Sequence, residues 1–302
     1  MKWIPLVLIA LALASPRTAA AETGSTRAAA RDFVRISSDS AKIPLHLQVA
    51  VTRYAKRING QAITVDLVGV VHVGDASYYE TLNQQFDQYD RVLYEMVAPE
   101  GATVQPGANH DGLLSRMQLA MTEGLDLSFQ LDEIDYTASN FVHADLSPEE
   151  FSESLMKGLE SPLVAAWQVM AFTIRETARG QLQASPEQQI KDLRLASEDR
   201  MKVMFARELA GIDQAPNLFG NDETSTLIGA RNARAIAVLE REIASGARHL
   251  AIFYGAAHMP DLQRRLLEEL EFAYDRTEWR NAWLLQQALA DSPEPAVDTS
   301  LP

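Results

Sequence analysis

The 302-residue chain has no cysteine. That excludes a disulfide framework, a cysteine nucleophile and a lipoprotein attachment residue. It has no Gly-x-Ser-x-Gly turn, so serine-hydrolase chemistry lacks its nucleophile elbow. It has no His-Glu-x-x-His helix and no glycine-rich phosphate loop, which leaves zincin and nucleotide-binding readings unsupported. Positive charge is scarce: 27 Lys and Arg stand against 41 Asp and Glu, for a formal net charge of −14. Such a chain repels phosphate backbones, and nucleic acid is not expected as a partner. After residue 22 no apolar run is long enough to span a bilayer, so no membrane span is expected in the mature chain.

The first 21 residues read as a secretory signal peptide. Lys2 supplies the charged start, Trp3 to Ala14 is an apolar stretch too short for a comfortable span, and Ala19-Ala20-Ala21 is a small-residue cleavage site. A mature protein beginning near Glu22, secreted or periplasmic, is expected. Residues 22–40 are Ala-, Ser- and Arg-rich and read as a flexible arm, and 286–302 as a disordered tail. Between them, 41–285 is long enough for one large domain.

The stretch from Ile63 to Glu95 organises that domain. Ile63 to Val68 is an apolar, β-branched strand that runs into Gly69-Val70-Val71-His72. A helix pattern starts at Ser77, with Glu80 placed to complete a capping box, and Val92 to Glu95 is a second strand. This is a β-α-β unit with parallel strands. His72 falls just past the first strand and Glu95 at the end of the second, and ligands bind at that edge of open parallel sheets. Two groups able to move protons or hold a metal thus reach one rim. Gly69 is read as allowing a sharp turn or the close approach of a ligand.

The same grammar returns late in the chain. Leu250 to Tyr254 is another apolar strand, Gly255-Ala256-Ala257-His258 follows it directly, and Pro260 opens a helix. A lone Gly-x-x-His match is weak evidence of a site. A match placed straight after a buried-type strand and before a helix says more, and here that placement occurs twice.

Around this frame, Leu45 to Tyr54 alternates as a half-buried strand, and Asn59-Gly60 signals a hairpin into the strand at Ile63. His46 in the outer strand reads as structural. Pro99 to Asp111 is a loop beside Glu95, a wall or lid of the site, and His110 within it reads as a solvated loop residue. Residues 112–245 read as a mostly helical insertion. Within it Leu127 to Tyr136 leads toward the site, Ser147 to Glu150 is a capping-box helix start, and a long helix ends at Gly246. His143 and Asp145 read as a local turn pair rather than as site elements. Thr277 to Leu285 alternates as a final edge strand. The fold class expected is α/β, a mixed, mainly parallel central sheet with flanking helices and a large helical insertion.

These motifs resemble the TraB/PrgY/GumN family, whose superfamily includes the TIKI metalloproteases and the erythromycin esterases. The resemblance rests on LVGVVHVGDASYY, VLYEMVAPEG, ARNARAIAVLEREI and YGAAHMPDL, spread over residues 45–285. Val70-Val71 stand where the family often has Thr or Ser. The family's arginine matches Arg231, which Asn232 follows, rather than Arg234. The resemblance implies His72, Glu95, Arg231 and His258 as site residues of a hydrolase. TIKI-type relatives imply a divalent metal (manganese, cobalt or zinc) on His72, Glu95 and His258, acting on peptides. Esterase relatives imply a metal-free centre with a histidine base; in such a centre one histidine or Glu95 activates water and Arg231 stabilises the oxyanion. PrgY-like relatives imply sequestration of a peptide without cleavage. The expected partner is a peptide or small-molecule substrate in each case.

Overall fold

Period-two alternation draws the first part of the chain into long antiparallel strands. The computed structural model describes residues 32–99, 125, 127–158, 197–211 and 228–286. The stretch expected to be a signal peptide, the loop with His110, the centre of the expected helical insertion and the tail after 286 lie outside them. β2 (Pro44–Ile58) and β3 (Gln61–Val70) form the hairpin expected at Asn59-Gly60, where φ is 51° and 80°. A two-residue type I′ turn demands that left-handed backbone, which Asn and Gly tolerate best.

β1 (Val34–Ser38) pairs with the first half of β2, and β9 (Ala273–Leu284) runs along it as well. Val49 has Val34 on one side and Arg280 on the other, and Val51 has Val68 and Glu278. β1 and β3 therefore follow one another along one edge of β2, and β9 is an outer strand on the other edge. The arm expected over 22–40 thus includes a strand. Phe33 and Val34 are buried in the core, and that burial fixes a segment whose composition alone looks loose.

The centre is parallel. β8 (His249–Gly255) sits between β3 and β5 (Arg91–Tyr94), and β7 (Phe141–His143) lies beyond β5, giving the order β1-β2-β3-β8-β5-β7. The fold is α/β, and the sheet is mixed with flanking helices, as expected. The two strands of the Ile63–Glu95 unit are parallel but are not neighbours, because β8 separates them. Buried on both faces, β3 and β8 read as near-continuous apolar runs rather than as alternating ones.

Helices cover both faces. α1 (Ala76–Phe86) buries Tyr78, Tyr79, Leu82 and Phe86 on one, in the cluster that holds Val68, Val92 and Phe253. Burial of side chains of this size contributes about 1.5–3 kcal/mol each. α2 (Gln130–Glu133) follows the short β6 (Ser128–Phe129), which pairs with β4 (Val73–Gly74). α3 (Pro148–Gly158) starts on the expected capping box: the Glu150 N–H donates to Ser147 Oγ and the Ser147 N–H to Glu150 Oε2. α4 (Ser197–Ala210) packs Val203 and Ala206 inward. On the other face, α5 (Gly229–Ala244) and α6 (Met259–Arg264, continued by a π-helical turn Arg265–Glu269) cover Val65, Leu67 and Ile252. α5 ends in a Schellman motif at Gly246, where φ is 115°: the Gly246 N–H donates to Ile243 O and the Ala247 N–H to Glu242 O.

Three expectations change. α1 begins at Ala76 after Asp75, not at a Ser77–Glu80 box, and its first turn has no side-chain cap. Pairing of β4 and a 2.6 Å bond from the Leu284 N–H to Asp75 Oδ2 set the start earlier. Gly69 makes no turn. It lies inside β3, where an added Cβ would come 3.0 Å from Val49 Cγ1 and 3.5 Å from Met259 Cγ, so it admits close packing. The stretch 112–245 is mostly helical among its described residues, as expected, but it is joined to the sheet rather than set apart from it. β7 extends the main sheet, with Phe141 edge-on to Phe86 at 5.4 Å, and α5 is a core layer.

Candidate active site

β3, β8 and β5 lie side by side and run the same way, so their carboxyl ends share one rim. His72 follows β3, Glu95 follows β5, and Gly255 and His258 close β8 and its 3-10 turn. Arg231 enters from the first turn of α5. All four expected residues therefore belong to one cluster.

Glu95 is its hub. Oε1 accepts from Arg231 Nη2 at 2.7 Å and lies 3.5 Å from His258 Nε2, while Oε2 accepts the Gly255 N–H at 2.6 Å. An added Cβ on Gly255 would stand 3.2 Å from Glu95 Oε2 and 3.5 Å from His72 Nε2. Gly255 has φ −51°, so it is required here for space and not for its backbone.

Both imidazoles are oriented from behind by side-chain amides. His72 Nδ1 faces Gln130 Oε1 at 2.9 Å, and Gln130 Nε2 donates to the Tyr136 hydroxyl at 2.7 Å. His258 Nδ1 faces Asn232 Oδ1 at 2.7 Å, and Asn232 Nδ2 donates to His258 O and to Asp261 Oδ2. Asn232 Nδ2 faces a carbonyl and a carboxylate, so its oxygen must meet the ring and His258 Nδ1 carries a proton; Gln130, with its oxygen on the ring and its nitrogen on the Tyr136 hydroxyl, holds His72 in the same way. Both Nε2 atoms lie on the side of Glu95: they offer lone pairs when the rings are neutral, and when protonated they face the carboxylate as cations, His258 Nε2 at 3.5 Å from Oε1. His258 is buried, whereas His72 is exposed and opens the cluster to solvent.

The electrostatics follow from this packing. Burial resists ionisation of Glu95, but His258, Arg231 and His72 outweigh it and hold the carboxyl well below its usual range. Burial likewise opposes the Arg231 cation, and Asp145 and Glu95 raise its pKa regardless. Arg231 grips Asp145 through Nε at 2.9 Å and Nη2 at 2.5 Å. Its Nη1 has no hydrogen bond among the described residues, which leaves donors for a developing negative charge.

Asp145 and His143 are not the local pair expected. Asp145 is buried against Arg231 and accepts the Leu146 N–H, while His143 Nε2 donates to Met96 O at 2.6 Å. β7 ends at His143, so Asp145 lies beyond the strand, and its direction is set by the contact with Arg231 rather than by strand alternation. Sequence reasoning also passed over Gln130 and used Asn232 only to choose between arginines. Leu127 to Tyr136 does lead into the site, through Gln130 rather than through its acids. His46 is structural as expected, with Nδ1 3.4 Å from Ser37 Oγ.

The Gly-x-x-His spacing is not selective by itself. It recurs at Gly107–His110, outside the described residues, and at Gly246–His249, which the fold places at the amino end of β8. Strand-end placement is what separates the site motifs from these.

Two imidazole nitrogens and a carboxylate are the donor types of a catalytic divalent metal. Two donors on one tetrahedral ion stand roughly 3.4 Å apart, close to the 3.5 Å between His258 Nε2 and Glu95 Oε1. As the side chains stand, no group of three or more such donors among the described residues is spaced to hold an ion. The amide contacts at both Nδ1 atoms are the outer-shell supports that metal-ligating histidines use. Comparison with family models, with curated proteins and with solved structures found no match.

Proposed function

We propose that this chain is an exported hydrolase of the TraB/PrgY/GumN kind, which cleaves peptides at a divalent-metal centre. The observation that carries the reading is the pair of Nδ1-tethered imidazoles whose free Nε2 atoms turn toward one ionised carboxylate. His72, Glu95 and His258 would hold the ion, and manganese, cobalt or zinc there would lower the pKa of a bound water and polarise the scissile carbonyl.

The chain's own groups supply the rest. Glu95 is held strongly ionised, which makes it a weak base and a good anionic anchor. With an ion bound, both Nε2 atoms are ligands and move no proton; in the metal-free arrangement proton transfer falls to an Nε2 atom, and exposed His72 is the one that solvent and substrate reach. Arg231 is aimed by Asp145 and directs its free Nη1 donors at the oxyanion.

A metal-free amidase or esterase is the second reading, favoured by the direct Arg231–Glu95 contact, which already neutralises the carboxylate. Chelation of the purified mature protein separates the two. Hydrolysis lost on chelation and restored by manganese, cobalt or zinc supports the metal centre. Hydrolysis that survives chelation but not His72→Ala assigns the metal-free reading. Tight peptide binding without cleavage under every condition would sink both in favour of sequestration.

A further inference from the structure

The sheet face under α1 changes character along its length. Toward the carboxyl rim it is apolar and the helix packs on it. Toward the opposite end and the outer strand, β2, β3 and β9 present Arg53, Asp66, Arg276, Glu278 and Arg280 on the same face, and a cavity of about 360 Å³ remains between them and the α1 segment. That volume lies within the range of small-molecule sites, about 300–1,000 Å³. His249, at the amino end of β8, also lines it. His249 lies six residue steps, about 20 Å, from Gly255 along β8, whereas Glu278 and Arg280 are level with the carboxyl end of β3 and are set off from β8 by β3 and β2.

Its base is rigid. Buried Asp66 takes Arg53 through both oxygens at 2.7 Å and the Tyr89 hydroxyl at 2.7 Å. The two other arginines are braced by Glu278, and Arg280 also donates to Gln85. Each guanidinium keeps one terminal nitrogen without a hydrogen bond among the described residues: Nη1 of Arg53, Nη2 of Arg276 and Nη1 of Arg280. Arg276 Nη1 also donates to Asp275 at 2.8 Å, so three arginines stand against three acids, and what the cavity offers an anion is the three unshared guanidinium nitrogens rather than a net charge. Thr81, Gln84 and Gln88 of the α1 segment add a hydroxyl and two amides on the facing wall, and Val51 gives an apolar patch.

We propose that this cavity is a second binding site, for a small hydroxylated organic acid. Guanidinium forks match a carboxylate, the amides and hydroxyl match alcohol groups, and Val51 suits the C–H face of a compact ring. The site is distinct from the catalytic rim and needs no metal.

The test is thermal unfolding of the whole mature protein with galacturonate, against galactose, acetate and inorganic phosphate at equal ionic strength. Galacturonate raises the midpoint by about 2–4 °C per tenfold rise in concentration above its Kd. Galactose, acetate and phosphate raise it less than half as far. Arg276→Gln with Arg280→Gln abolishes the galacturonate shift, and both positions are surface-facing enough to leave the fold intact. His72→Ala keeps the shift. No shift with galacturonate, an equal shift with phosphate, a shift that survives the double arginine variant, or its loss in His72→Ala would each overturn the proposal.

Discussion

The two ends of β8 are built from the same parts. Each has a Gly-x-x-His, an arginine and a carboxylate: Gly246–His249 with Arg53 and Asp66 at the amino end, Gly255–His258 with Arg231 and Glu95 at the carboxyl end. At the amino end both nitrogens of His249 are engaged. Nδ1 faces Gln88 O at 3.1 Å and must donate, and Nε2 faces Arg53 Nη2 at 3.0 Å and must accept. Asp66 is saturated by Arg53 and Tyr89. At the carboxyl end each histidine is held by one nitrogen only, and Nε2 stays free toward a carboxylate that keeps unshared lone pairs. A histidine whose every group is satisfied braces the fold. One that is held from behind and open in front can do chemistry.

The largest expected effect comes from the free imidazoles. His72→Ala and His258→Ala should each lower peptide hydrolysis by about 10³-fold, the scale of a lost positioned base or ligand. Metal retention measured on the same variants should fall with it. His249→Ala should leave turnover unchanged, and a comparable loss there would erase the contrast between the two ends.

Gly255→Ala tests the geometry directly. The new methyl would stand 3.2 Å from Glu95 Oε2, so turnover should drop by about 10²-fold with little loss of secondary structure. Arg231→Ala should slow turnover by about 100-fold while metal content is kept. Gln130→Ala and Asn232→Ala should cost about 10–100-fold, as outer-shell supports do. Asn232→Ala should also destabilise by about 1–3 kcal/mol, because it leaves buried His258 and Asp261 short of a partner.

The smallest effect is on pH dependence. The folded pKa of Glu95 lies below its ordinary 4.5, so its stabilising contribution is complete above 4.5 and lost as pH falls through the folded value. The stability gap between the wild type and Glu95→Gln should not close between neutral pH and about 4.5, and should narrow only below it. A gap that already closes between pH 7 and 5 would mean the carboxyl is not held ionised as its neighbours imply.

Much of the site was legible because its residues sit at strand ends. His72, Glu95 and His258 each follow a short apolar run, and chain direction alone carries such residues to one edge of a parallel sheet. The hairpin at Asn59-Gly60, the capping box at Ser147 and the stop at Gly246 were legible for another reason: each is a local backbone requirement met by neighbouring residues. Gln130 and Asp145 were not legible. They reach His72 and Arg231 across 58 and 86 positions of chain, and no period or spacing marks a contact of that length. The start of α1 was misplaced because a strand pair and the end of β9, 209 positions away, hold Asp75.

By itself, then, the sequence determined which segments are strands, where they turn and which polar residues stand at their ends, since propensity, periodicity and glycine geometry act within a few residues. Only the tertiary structure decided that β8 inserts between β3 and β5, so that two distant Gly-x-x-His motifs share one rim while a third lies at the far end of the same strand. Strand order is set by burial of both sheet faces, and burial is a property of the whole chain.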